Sequence, residues 1–135
     1  MIKLIVGKKG TGKTKMLVDQ VNKAATTAKG SVVCVEKGIK LTYDIKHTVR
    51  LVDTEEFGVS GFDMLYGFLC GIFAGNYDIT DMFIDNVLRI GKTGLDDFAV
   101  FVDRLNAIKS IAGVNIVISV SADQSELPES VRAYL

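Results

Sequence analysis

Gly7-Lys8-Lys9-Gly10-Thr11-Gly12-Lys13-Thr14 constrains what this chain can fold into more than any other eight residues in it. The apolar run before it, Lys3 to Val6, reads as a short strand. After it comes a helical pattern in which Met16, Leu17, Val21, Ala24 and Ala28 share one face until Gly30 ends it. Glycines at 7 and 12 let the backbone turn so that successive N–H groups point at a common centre. The helix that follows adds its positive end and its own unpaired amides to the same centre. A strand that stops, wraps an anion and continues as a helix needs a sheet to carry it and a helical layer to cover it.

The spacing Gly7-x4-Gly12-Lys13-Thr14 fits the Walker A pattern G-x-x-x-x-G-K-[ST] without exception, and with its flanking strand and helix it resembles the P-loop NTPase superfamily. That resemblance covers about the first fifth of the chain. It implies that Lys13 reaches the β- and γ-phosphates of a nucleoside triphosphate and that the Thr14 hydroxyl binds Mg²⁺. Gly7, Lys8, Lys9, Gly10, Thr11 and Gly12 form the rest of the cradle, with Lys8 and Lys9 in variable positions where surface solvation is expected. Gly91-Lys92-Thr93 repeats the last triplet, but residue 86 is Asn where the pattern requires Gly. A plain turn is expected there.

The rest of the chain alternates apolar runs with helical patterns. Residues 31–36 (SVVCVE) read as a strand buried on both faces. Residues 37–46 read as a polar loop or small hairpin, 47–53 as a strand of less certain burial, 60–75 as a helix and 78–85 as another strand. Thr93-Gly94-Leu95-Asp96 has capping-box spacing for a helix over 95–112, whose apolar stripe runs Leu95, Phe98, Val102, Leu105, Ile108 and Ile111. A strand over 114–120 follows, and Pro128 opens a short terminal helix. The expected fold is therefore a single domain, 1–135, of α/β class: three layers, with a mainly parallel sheet of about five strands flanked by helices.

Composition removes several function classes. Sixteen basic and sixteen acidic residues cancel, so no global field favours nucleic acid or an anionic membrane. Two separated cysteines, Cys34 and Cys70, and the single His47 cannot supply a four-ligand zinc site, and both thiols are expected buried and reduced. Met64–Gly75 is the most apolar stretch and is too short to span a bilayer, which needs about 20 apolar residues. Gly67, Gly71 and Gly75 give its helix one smooth face, expected to allow close approach to the sheet or to a second copy or protein partner. No signal-peptide pattern follows Met1, so a cytoplasmic location is expected.

In P-loop proteins an acidic residue at the end of a second apolar strand holds magnesium through water. Met82-Phe83-Ile84-Asp85 offers Asp85 for that role, with Asp53 after Leu51-Val52 as runner-up. Many ATPases of similar layout carry Glu immediately after this Asp to orient the attacking water; here the residue is Asn86. RecA-like members place that glutamate at the end of the strand following the P-loop helix, which corresponds to Glu36 in this chain. Ser119 and Ser121 end the last strand, where RecA-like proteins carry a polar γ-phosphate sensor. Arg89, Arg104 and Arg132 cannot be ranked as arginine fingers from sequence. The guanine motif Asn-Lys-x-Asp is missing, which favours adenine. The resemblance thus implies a slow Mg-dependent ATPase or ATP-dependent switch of RecA-like type. The alternatives are a nucleoside-type small-molecule kinase and a nucleotide-binding regulatory subunit with little turnover.

Overall fold

Alternation of side chains along the strands explains how one sheet serves two cores. In β2 (Ser31–Glu36), Val32 and Cys34 face one side and Val33 and Val35 the other, all four buried. The computed structural model describes residues 1–135. Around β2 lie β1 (Ile2–Gly7), β3 (Arg50–Asp53), β4 (Ile79–Ile84) and β5 (Asn115–Ser121), in the order β1-β5-β4-β2-β3. Every pairing is parallel. The α/β class, the five strands and the flanking helices match the expectation from sequence.

One face of the sheet is covered by α1 (Lys13–Thr27), through Leu17 and Val21, together with Leu41, Ile45 and Val49 from the segment between β2 and β3. The other face carries α2 (Phe62–Gly75), α3 (Val87–Gly91), α4 (Leu95–Asn106) and α5 (Glu129–Arg132) over a larger core. Phe62 is central to that core, with ring centroids 6.1 Å from Phe98 and 5.3 Å from Phe101. No helix is long and apolar enough to cross a membrane.

Several local expectations change. The strand expected at 47–53 is shorter, because residues 47–49 turn before pairing begins at Arg50. The helix expected over 95–112 stops at Asn106; Ile108 is extended, and a 3₁₀ turn over Lys109–Ile111 buries Ile111. Its capping box does not form: extended Gly94 is the cap residue and no side chain bonds the first turn. A capping box does form at Asp123 and Glu126, heading a 3₁₀ turn. Cys34 is buried, but Cys70 on α2 is only half-buried. The glycine face of α2 packs against nothing: a Cβ at Gly67, Gly71 or Gly75 would meet no atom within 4 Å, because Phe62, Leu65, Leu69 and Phe73 on the opposite side bury the helix.

Candidate phosphate-binding site

Parallel strands bring all their C-terminal ends to one edge. Pairing of Gly7 with Ser121, Ile118 with Ile84, Ile84 with Val35 and Glu36 with Asp53 sets the sequence-derived candidates in a row along it. Ligands bind beyond such edges in open α/β sheets.

The loop from Gly7 to Gly12 is shaped for an anion. Gly10 and Gly12 adopt φ of 87° and 84°, the left-handed region that favours glycine, and nothing lies within 4 Å of either prospective Cβ. The loop is held from within: the Thr11 amide and hydroxyl both donate to the Lys8 carbonyl, at 3.2 and 2.7 Å. A Cβ on Gly7 would stand 2.5 Å from the Thr11 hydroxyl, so this brace requires glycine at 7. The amides of Gly10, Gly12, Lys13, Thr14 and Lys15 donate to no protein acceptor. They are free donors beside open space at the start of a fifteen-residue helix. Lys13 is 8% exposed, and its ammonium donates to the Lys8 carbonyl at 3.0 Å.

Asp85 stands next to this cradle. The Thr14 hydroxyl lies 3.4 Å from Asp85 Oδ1, and the Ser119 hydroxyl donates to the same oxygen at 3.1 Å. Ser119, buried on β5, also accepts the Asn86 amide at 2.6 Å, while the Ser121 hydroxyl donates to Asn86 Oδ1 at 3.2 Å. The two serines thus fix the turn that carries Asp85. Asn86 itself has φ of 50°, which an asparagine tolerates far better than a glutamate. That explains in backbone terms why no glutamate follows Asp85. Asp53 lies on the other side of Glu36, at the sheet margin, and its Oδ1 accepts the amides of Gly38 and Glu55, each at 2.8 Å.

Glu36 is 3% exposed, and Leu41 donates its amide to Oε2 at 3.0 Å. Burial raises its pKa above the ordinary carboxylate value, with Asp85 and Asp53 adding to the rise and the amides of Leu41 and Lys40 opposing it. Cys34, two residues before Glu36 and paired across to Phe83, two residues before Asp85, is pushed well up, chiefly by burial and then by those two carboxylates, and is inert as a nucleophile. Lys8 pairs with Asp123 at 3.6 Å on the surface. Lys9 instead lines an open cavity of about 720 Å³ between the cradle and the turn after β4. Lys40 and Arg89 line the same cavity, and sequence reasoning did not find that grouping. Three chain-distant cations leave no periodic signal; only the folded edge brings them together.

The residues present fit a magnesium–nucleotide complex. The free amides and left-handed glycines suit phosphate oxygens. Thr14 and Asp85 offer the one or two protein oxygens that Mg²⁺ takes beside phosphates and water.

An all-parallel sheet with the glycine loop after β1, and with β5 inserted between β1 and the Asp85 strand, is a P-loop NTPase fold. Solved structures similar to it include a flagellar accessory protein and a conjugation coupling protein. The flagellar accessory protein FlaH from Methanocaldococcus jannaschii superposes with a TM-score of 0.61 at 16% identity, over 98% of this chain and 65% of that one. The pCW3 conjugation coupling protein TcpA, in a monomer form with ATPγS, gives 0.54 at 13% identity, over 98% of this chain and 46% of that one. This chain spans less than two thirds of either, and at such identities the likeness is one of fold. No protein-family model and no curated protein matches the chain.

Proposed function

We propose that the protein binds Mg·ATP at Gly7–Thr14 and hydrolyses it slowly, as a RecA-like ATP-dependent switch. The observation that carries this reading is the meeting of Thr14, Asp85 and Ser119 beside five free amides. Lys13 exchanges the Lys8 carbonyl for a phosphate oxygen, and Thr14 and Asp85 take the metal side. Ser119 holds Asp85 in place. Bound magnesium supplies charge neutralisation at the β- and γ-phosphates. Adenine is favoured because the guanine motif is missing, and the ATPγS in the TcpA structure supports the same choice.

Glu36 is the chain's own candidate for orienting water, since it neighbours Asp85 across β2 and β4 and its raised proton affinity suits a base. One observation favours a second reading, a nucleotide-binding regulator with little turnover: the Glu36 carboxylate is already engaged by the Leu41 amide.

Mg·ATP is expected to raise the melting temperature of the wild-type protein, and Lys13→Ala to abolish that rise, because a ligand stabilises only through binding the native state. Undiminished stabilisation in Lys13→Ala overturns the site. Glu36→Gln is expected to lower ATP turnover while leaving ATP binding intact. Equal turnover removes Glu36 from the base role, and no turnover in the wild type under any condition selects the regulatory reading.

A further inference from the structure

Geometry separates the three arginines that sequence leaves unranked. Arg104 is occupied, paired with Asp63 at 2.9 Å and stacked over the Tyr66 ring at 3.9 Å. Arg132 is also occupied, donating to the Leu127 carbonyl at 3.1 Å and the Ser125 carbonyl at 3.2 Å. Arg89 has no side-chain partner, and it lines the 720 Å³ cavity that opens beside Thr14 and Asp85. Its placement follows from Asn86: the left-handed turn redirects the chain as β4 ends, and the Arg89 amide closes the first turn of α3 on the Asn86 carbonyl at 3.1 Å. Lys40 lines the same cavity from the 37–46 segment, which Glu36 fastens through the Leu41 amide. Lys40 and Lys9, like Arg89, form no ion pair, and Asp85 is the only carboxylate lining the cavity.

Three exposed, unpaired cations and a single carboxylate lining one cavity suit a ligand that carries several negative charges. Thr14 and Asp85, the proposed metal side, both line the cavity, and a magnesium ion on a nucleotide bridges the β- and γ-phosphates, so the cavity adjoins the terminal phosphate. We infer that Arg89 and Lys40 form a two-cation clamp, supplied within the chain itself, for the terminal phosphate of the bound nucleotide. The clamp rests on the reading of Gly7–Thr14 as an ATP site. It distinguishes triphosphate from diphosphate, because only the triphosphate extends into the cavity. A planar guanidinium on that phosphate also meets the charge that spreads over its oxygens during transfer.

The test compares binding of Mg·ATPγS and Mg·ADP by calorimetry in wild type, Arg89→Ala, Lys40→Ala and Arg50→Ala. Arg50 is an exposed cation on the margin strand β3 and controls for loss of charge alone. Arg89→Ala is expected to weaken ATPγS binding about tenfold and to leave ADP binding within about twofold, the loss of one charge-assisted contact. Lys40→Ala is expected to act in the same direction, and Arg50→Ala to change neither. Unchanged ATPγS affinity in both Arg89→Ala and Lys40→Ala overturns the clamp and leaves the ATP site standing. Equal weakening of both nucleotides also overturns it, since the cations would then serve the inner phosphates or the fold. Failure of the wild type to bind either nucleotide overturns the site and the clamp together.

Discussion

Residue 86 shows how backbone conformation limits chemistry. Asn86 holds φ of 50° and its side chain accepts from Ser121, while its amide bonds Ser119. A glutamate there would strain the backbone and lose the short amide-like side chain that the left-handed region accommodates. Asn86→Glu is expected to destabilise the protein by about 1–2 kcal/mol in urea unfolding, and Asn86→Gly by less. A glutamate variant as stable as wild type would remove this account. The sequence identified Asp85 and the missing glutamate, but the reason lies in a dihedral angle that no residue pattern encodes. Glu36 was equally legible as a strand-end carboxylate. Its attachment to the Leu41 amide was not, because nothing in residues 37–46 marks one amide as a partner for a carboxylate five positions earlier.

Glycines can have opposite meanings in different elements. Gly67 and Gly71 lie inside α2 over open space, so alanine there adds helix propensity at no steric cost. Each substitution is expected to stabilise by about 0.5–1 kcal/mol. Gly91 ends α3 against the Phe62 ring, which a Cβ would overlap. Gly91→Ala is expected to destabilise by about 1–3 kcal/mol, read from the shift in unfolding midpoint; a neutral outcome would mean that Phe62 has room to move. The apolar runs of β1, β2, β4 and β5 were legible because burial on both faces leaves continuous hydrophobic stretches. The five residues of α3 were not, since one turn and a half carries no period to detect. Thr93 had capping-box spacing, but extended Gly94 takes the cap position in its place.

At the scale of the molecule, three carboxyl groups, Glu36, Asp53 and Asp85, share one edge of the sheet, and burial raises the pKa of Glu36. Its proton affinity is higher in the folded than in the unfolded chain. As pH rises through the ordinary carboxylate value the unfolded chain releases this proton first, so stability falls. The fall ends once pH passes the raised native value, and below the ordinary value Glu36 contributes no pH dependence. The difference in stability between wild type and Glu36→Gln is therefore expected to move against wild type with rising pH across that window. A difference independent of pH would show that Glu36 ionises normally. The strand order that assembles this edge was not readable from hydrophobic patterning, which orders strands along the chain and not across a sheet.

Helix α1 has a second attachment beyond the cradle at its start. Ten residues after Gly12, about 15 Å along the axis at 1.5 Å per residue, the Asn22 side chain donates to the Asp44 carbonyl at 2.8 Å and accepts the Lys46 amide at 2.9 Å. The helix is thus a rod with its first turn at the phosphates and a hasp over the segment that holds Lys40 above the cavity and the Leu41 amide on Glu36. Any tilt of the loaded end would carry the hasp, and with it the strap. Nucleotide is accordingly expected to change amide hydrogen exchange at Leu41 and Lys46 in the wild type. With Asn22→Ala the phosphate end stays intact but this linkage is cut, so the change at Lys46 is expected to be lost, while the contact of Lys40 with the terminal phosphate still changes exchange at Leu41.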